Sequence, residues 1–379
     1  MIALFSLLTL LFLLPQVAAG ETLQAGIDQL LSSLDTTALS DILADADPFA
    51  ATGGFTATVG ALARGEVALD LGAALTLVKN RMLTALQGTL WRLTRLAAPA
   101  LLWSLLRRLC HVEGKAIHAG QTVCQLCVCI FLTQDLTEHI ALARSAITRM
   151  NSGMQALFPM LLTMMAAVGG SAGSAIMQPA VVASASTLTT LLTKVTVPLS
   201  IAAAVLTMLC HLGEGMKLQR LTAFVLSCAT WTLGVTFTAF IAVLSTRAVT
   251  AAALDGVTLR VSKYAIRHLV PVVGGLFADT VDTLVGAGVL VQGALGVTGL
   301  MLIAAYALTP LCQTLAASLL YRLSAALLQP VSDGPLSGCI HDFGRVLMLL
   351  FIMQLCAAAM FLMLIAQLIS VSGMTMMLR

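Results

Sequence analysis

The sequence predicts an all-α, polytopic helical membrane protein of about seven spans, some broken by Pro or Gly. A small helical N-terminal region is expected outside the cytoplasm. Three observations carry this expectation. Of 379 residues, 59% are hydrophobic and only 10% charged, with a mean hydropathy of +0.98. An ordinary soluble domain carries about a quarter charged residues, so a soluble chain of this length could not cover its surface. The charges are also sorted by position. Finally, long apolar stretches recur along most of the chain, each near the ~20 residues that cross a bilayer. A soluble enzyme, a nucleic-acid reader and a disordered protein are all excluded by this composition.

Residues 1–20 read as a secretory signal segment. Ile2 to Leu14 is an apolar run too short to span comfortably, and Val17-Ala18-Ala19-Gly20 supplies small residues for cleavage. An uncleaved short anchor is the alternative, because no Lys or Arg precedes the apolar run. In either case the next residues begin outside the cytoplasm.

Residues 21–92 form an acidic amphipathic head with a basic C-terminal end. From Glu21 to Asp70 eight acids face a single base, Arg64; from Leu71 to Lys115 seven bases face only Glu113. Leu23, Ile27, Leu30, Leu31 and Leu34 recur at helical spacing, and Asp35 can cap a following helix. Pro48 and Gly53-Gly54 interrupt the pattern before Val67, Leu71, Leu75, Val78 and Met82 line one face. Such a head docks on a partner, lies on the bilayer, or packs on itself as a cap. The basic collar is either the cytoplasmic boundary of a span or the face of helices lying on anionic lipid.

Residues 93–379 are the membrane domain. Candidate spans are Leu93–Cys110, Ala116–Thr133, Gln155–Met177, Val195–Leu212, Leu221–Leu244, Leu284–Leu308, Leu311–Leu328 and Val346–Ile369. The first is the weakest, because Arg92, Arg95, Arg107 and Arg108 shorten its apolar centre. Arg247 to Arg267 reads as a loop of four bases and Asp255, cytoplasmic by the positive-inside rule. Pro159, Gly169, Gly170, Pro271, Gly274, Gly275, Gly296 and Gly299 are the candidate helix-break or packing residues: small residues let helices approach closely in lipid, and Pro/Gly pairs mark broken or re-entrant helices.

Asp279, Thr280 and Asp282 are the candidate pore or coupling residues. A carboxylate in hydrocarbon costs a few kcal/mol and must face protein or water, and the three-residue spacing sets both acids on one helical face. They line a pore or relay protons, or else they belong to a surface loop in which Asp279 or Thr280 caps the next helix. Cys124, Cys127 and Cys129 read as packing residues rather than metal ligands, since Cys129 points away from the other two and no His cluster accompanies them. No phosphate-binding loop, nucleophile elbow or dinucleotide fingerprint occurs. No enzyme activity, cofactor, metal or nucleic-acid partner is expected.

The stretch from Lys263 through Pro271, Gly274-Gly275 and Ala278-Asp279-Thr280 to Asp282-Thr283 resembles the stage III sporulation protein AE family. So do Phe158-Pro159-Met160 followed by Gly169-Gly170-Ser171, and Gly296-Val297-Thr298-Gly299 ahead of Pro310. The resemblance runs from about Gln155 to Arg345; the cysteine cluster and the uncharged N-terminus depart from it. It implies a multi-pass protein of the mother-cell membrane around the forespore, with the head extracytoplasmic. It also implies partners: other stage III sporulation A-operon proteins and the forespore protein stage II sporulation Q, together a channel required for forespore development. No catalytic residues come with this family. The expected function is a permease-like component of that channel, with a stand-alone small-molecule or ion transporter, or a passive scaffold, as alternatives. Membrane lipid is a partner in each case, and a homo-oligomer is compatible with all three.

Overall fold

The computed structural model describes residues 27–28, 54–66, 71–109, 115–167, 183–212, 218–269, 274–330 and 335–377. Among these every regular element is helical. The signal segment, most of the acidic stretch Glu21–Asp70, Gly169, Gly170 and Pro271 lie outside the described residues.

The last part of the head is a short helix, α1 (Phe55–Ala63). It is bracketed by Gly54 (φ 98°) and Gly65 (φ 72°), both in the left-handed region that favours glycine. The Gly54 carbonyl accepts from both the backbone N–H and the hydroxyl of Thr58, at 3.1 and 2.9 Å. Phe55, Thr58, Val59 and Ala63 are buried along one face, and that face rests on the central helix α6, introduced below. Arg64, just beyond α1, pairs with Asp28 at 2.6 Å. This part of the head therefore docks on the body of its own chain.

Six long helices follow: α2 (Leu71–Leu109), α3 (Lys115–Ala167), α4 (Val197–Leu212), α5 (Gln219–Leu269), α6 (Gly274–Leu328) and α7 (Pro335–Met377). The basic collar and the stretch after residue 92 form one continuous helix, α2, through Pro99. A helical segment over 183–191 enters α4 through a π-helical turn, Leu192–Thr196. Pro198 explains that turn: it has no N–H for the carbonyl four residues earlier, and a π-bulge relieves its ring clash.

Among the described residues five helical stretches are long and apolar enough to cross a membrane: Ala119–Met164, Ala183–His211, Gln219–Ser245, Gly286–Leu328 and Leu336–Ile369. The sequence led to about seven spans. The eight candidate stretches reduce to five because two pairs merge and Leu93–Cys110, in α2, is not among the stretches long and apolar enough. Ala116–Thr133 and the described part of Gln155–Met177 share α3, while Leu284–Leu308 and Leu311–Leu328 share α6. At 1.5 Å per residue, the 53 residues of α3 and 55 of α6 reach about 80 Å, more than twice the ~30 Å hydrocarbon layer. A continuous helix cannot turn back, so each provides at most one crossing. Pro159 and Pro310 sit inside these helices without breaking them. The segment Arg247–Arg267, read as a loop, is instead a continuation of α5, which runs helical to Leu269.

α6 is the axis of the bundle: α1, α2, α3 and α7 all pack on it, and its contact with α7 is the most extensive. α7 in turn touches α3, α4 and α5. Leu295, Leu302 and Ile303 of α6 and Phe343, Val346, Leu350 and Phe361 of α7 are fully buried. Close approach depends on glycine. A Cβ on Gly299 would lie 3.0 Å from Leu157 Cδ1, and one on Gly296 would collide with Ile369 Cγ1. At the outer edge, Leu221, Phe224, Trp231, Val235 and Val243 of α5 are exposed, an apolar face suited to lipid.

Hydroxyls are carried through these apolar helices by bonding within their own turn. Thr133, Thr207, Thr232, Thr236 and Thr298 each donate to the carbonyl four residues earlier, which satisfies a polar group where no water is at hand.

Candidate functional site

The polar centre of the described structure lies midway along α3, between its two apolar halves. Asp135, Glu138 and His139 sit at i, i+3 and i+4, a spacing that sets them along one side of a helix. The surrounding helices then sort them. The Tyr321 hydroxyl of α6 donates to the Asp135 carboxylate. Tyr321 is 1% exposed and is braced edge-to-face by Phe343 of α7, ring centres 5.1 Å apart at 78°. Arg92 of α2 donates to both Glu138 oxygens, at 2.5 and 2.7 Å. This pairing holds the guanidinium protonated even more firmly than usual, the hydrogen bond outweighing partial desolvation.

His139 is 7% exposed and its Nδ1 has no hydrogen-bond partner among the described residues. A buried polar atom left unpaired costs about 1–3 kcal/mol. His139 and Glu138 line a cavity of about 320 Å³ between α2, α3 and α6, with Arg81, Thr84, Thr309 and Gln313 among its other walls. Further along α6, Gln354 of α7 donates to Thr314 at 3.1 Å, and Ser318 donates to the Gly344 carbonyl at 2.8 Å. Polar residues therefore continue along α6 from the cavity into its seam with α7. At the end of α4, His211 lies 3.8 Å from Asp342, which also faces Arg345 at 3.6 Å.

The arrangement holds charge and hydrogen-bonding capacity inside an apolar body. Arg92 and Glu138 are both more than a third exposed, so water screens them despite the bidentate geometry. Arg92→Gln should therefore cost only about 0.2–1 kcal/mol in denaturant unfolding of the detergent-solubilised chain; a loss above about 2 kcal/mol would show the pair to be shielded.

The residues singled out from sequence are elsewhere. Asp279, Thr280 and Asp282 fall in the second and third turns of α6, in helix rather than in a surface loop, and their side chains lie outside what is described. Thirty residues of the same helix separate Asp279 from Thr309, about 45 Å, so the two sets do not meet. Gly274 and Gly275 open α6. Pro159 is exposed on α3. Cys124 donates to the Pro99 carbonyl at 3.2 Å while Cys127 is exposed, so these thiols do not converge. Asp135, Glu138, His139, Arg92 and Tyr321 were not singled out. Their signal was local: two acids and a histidine within five residues, between apolar runs of one helix.

The family described as stage III sporulation protein AE matches residues 54–372, from α1 almost to the end of α7. The stage III sporulation protein AE of Bacillus subtilis (strain 168) is 30% identical over 243 residues, covering 64% of this chain. The aligned part spans about 61% of that relative's length. No solved structure matches. The match takes in the central axis, the polar centre on α3 and the docked end of the head, and on that evidence this chain belongs to the stage III sporulation protein AE family.

Proposed function

We propose that this chain is a non-enzymatic, permease-like membrane component of a channel complex linking mother cell and forespore, required for forespore development. The observation that carries the reading is family membership across nearly the whole helical body, which gives the chain a sporulation-related role. Five apolar helices support a site of action in the membrane. The proposed location is the mother-cell membrane around the forespore, multi-pass, with the head outside the cytoplasm. Other stage III sporulation A-operon proteins and the forespore protein stage II sporulation Q are its proposed partners. In this reading α6 and α7 form the rigid centre, and the exposed apolar face of α5 suits lipid or another subunit.

Deleting the gene in its endospore-forming host should arrest development after engulfment, with heat-resistant spores reduced by several orders of magnitude and restored by the intact chain. A deletion strain that sporulates normally overturns the proposal. The charged cavity on α3 supports a second reading, a transporter that works alone. It requires solute flux into proteoliposomes holding only the purified protein; the channel-component reading requires none without partners.

A further inference from the structure

We propose that the cavity between α2, α3 and α6 is a binding site for a small anion bearing a carboxylate or phosphate group. Its volume of about 320 Å³ sits at the lower end of small-molecule pockets, roughly 300–1,000 Å³, the scale of a small metabolite or a headgroup phosphate. The charge on its walls is unbalanced. Glu138 is occupied by Arg92 through two hydrogen bonds. Arg81 lines the same cavity, and no ion pair to it occurs among the described residues. Asp135, one turn from Glu138 and His139 on α3, is not one of the lining residues and accepts the Tyr321 hydroxyl. One guanidinium is thus left over, and a guanidinium recognises carboxylate and phosphate through parallel N–H donors.

The second, independent observation is His139. It is more than nine-tenths buried, lines the cavity, and has a ring nitrogen with no partner. In the tautomer that carries its proton on Nδ1, that unpartnered nitrogen is a donor. Gln313, on the α6 wall, adds an amide donor. Thr84 already donates its proton to the Asn80 carbonyl at 2.9 Å, so it offers the anion no donor. A metal ion fits less well: among the described residues no three His, Cys, Asp or Glu side chains come together to hold one.

The site goes beyond the proposed function and does not depend on it, since binding is read on the purified chain without partners or cells. The test uses the full-length protein in phosphatidylcholine nanodiscs, titrated calorimetrically at constant ionic strength with inorganic phosphate and, separately, with succinate. Saturable binding of at least one probe is expected, weakened at least tenfold by Arg81→Gln and by His139→Gln. Arg149→Gln, an exposed change on α3 outside the cavity lining, should leave binding unchanged. Arg81 is exposed, so its substitution keeps the test decisive if the His139 variant fails to fold.

A parallel arm replaces part of the lipid with phosphatidylglycerol. Unchanged probe affinity assigns the site to a soluble anion; competitive loss assigns it to a lipid headgroup phosphate. Both outcomes uphold an anion site. Absence of saturable binding to both probes, or affinities unaltered in the Arg81 and His139 variants, overturns it and leaves a cavity that holds water only.

Discussion

Gly344→Leu should prevent α6 and α7 from closing on one another. A Cβ at Gly344 would lie 2.9 Å from Arg322 Cγ, 3.2 Å from the Ser318 carbonyl oxygen and 3.4 Å from the Arg322 backbone nitrogen. The two backbone atoms are the decisive neighbours, because a side chain can rotate away and a packed helix cannot. Even alanine there should cost about 1–3 kcal/mol, the usual penalty for overpacking. Leucine should exceed that and also disturb the hydrogen bond from Ser318 to the Gly344 carbonyl, 2.8 Å long. Unfolding of the purified variants in detergent checks this. The expected order of stability is glycine, alanine, leucine; an alanine variant as stable as the parent would show that the seam has slack.

Removing the Tyr321 ring should have an effect of similar size. Tyr321 is among the largest fully buried side chains. It packs on Phe343 and donates to Asp135, so Tyr321→Ala loses both a ring and the partner of a carboxylate. Truncating a large buried aromatic costs about 3–5 kcal/mol. Tyr321→Phe isolates the polar part: the packing stays while the carboxylate loses its donor, a cost of about 1–3 kcal/mol. In a double-mutant cycle with Asp135→Asn, the two changes should be clearly non-additive. Additive effects would mean that the hydroxyl and the carboxylate contribute independently. Tyr321 links α6 to both α3 and α7, so its loss should loosen the bundle rather than one contact.

Much of the helical content was legible because it is written locally. Apolar composition marks each helix, and the segments from Val195, Leu221 and Val346 reappear as α4, the first half of α5 and most of α7. The number of crossings was less legible. Pro159 read as an interruption and Pro310 fell between two candidate spans, since proline removes one helical hydrogen bond and crowds the preceding turn. Within a packed bundle neighbouring helices compensate for that loss, so α3 and α6 continue. Pro198 shows the intermediate case, a π turn in place of a break.

The cavity was illegible for a different reason. Its walls come from residues as far apart as Arg81 and Gln313, on three helices whose mutual rotation no periodicity encodes. Asp279 and Asp282 drew attention because apolar residues flank them on both sides. Asp135 and Glu138 did not, because the stretch around them also carries Gln134, His139, Arg144 and Arg149 and so resembles an ordinary solvated segment.

Composition alone determined that this chain lives in a membrane: with 10% charged residues, the hydrophobic effect leaves no soluble alternative. The order of parts along the chain, with its motifs, pointed to the family. Only the tertiary structure decided that eight apolar stretches become fewer crossings, that α6 is the axis, and that Glu138, His139 and the guanidiniums of α2 line one cavity. These outcomes depend on how helix faces meet, and side chains far apart in sequence settle that together.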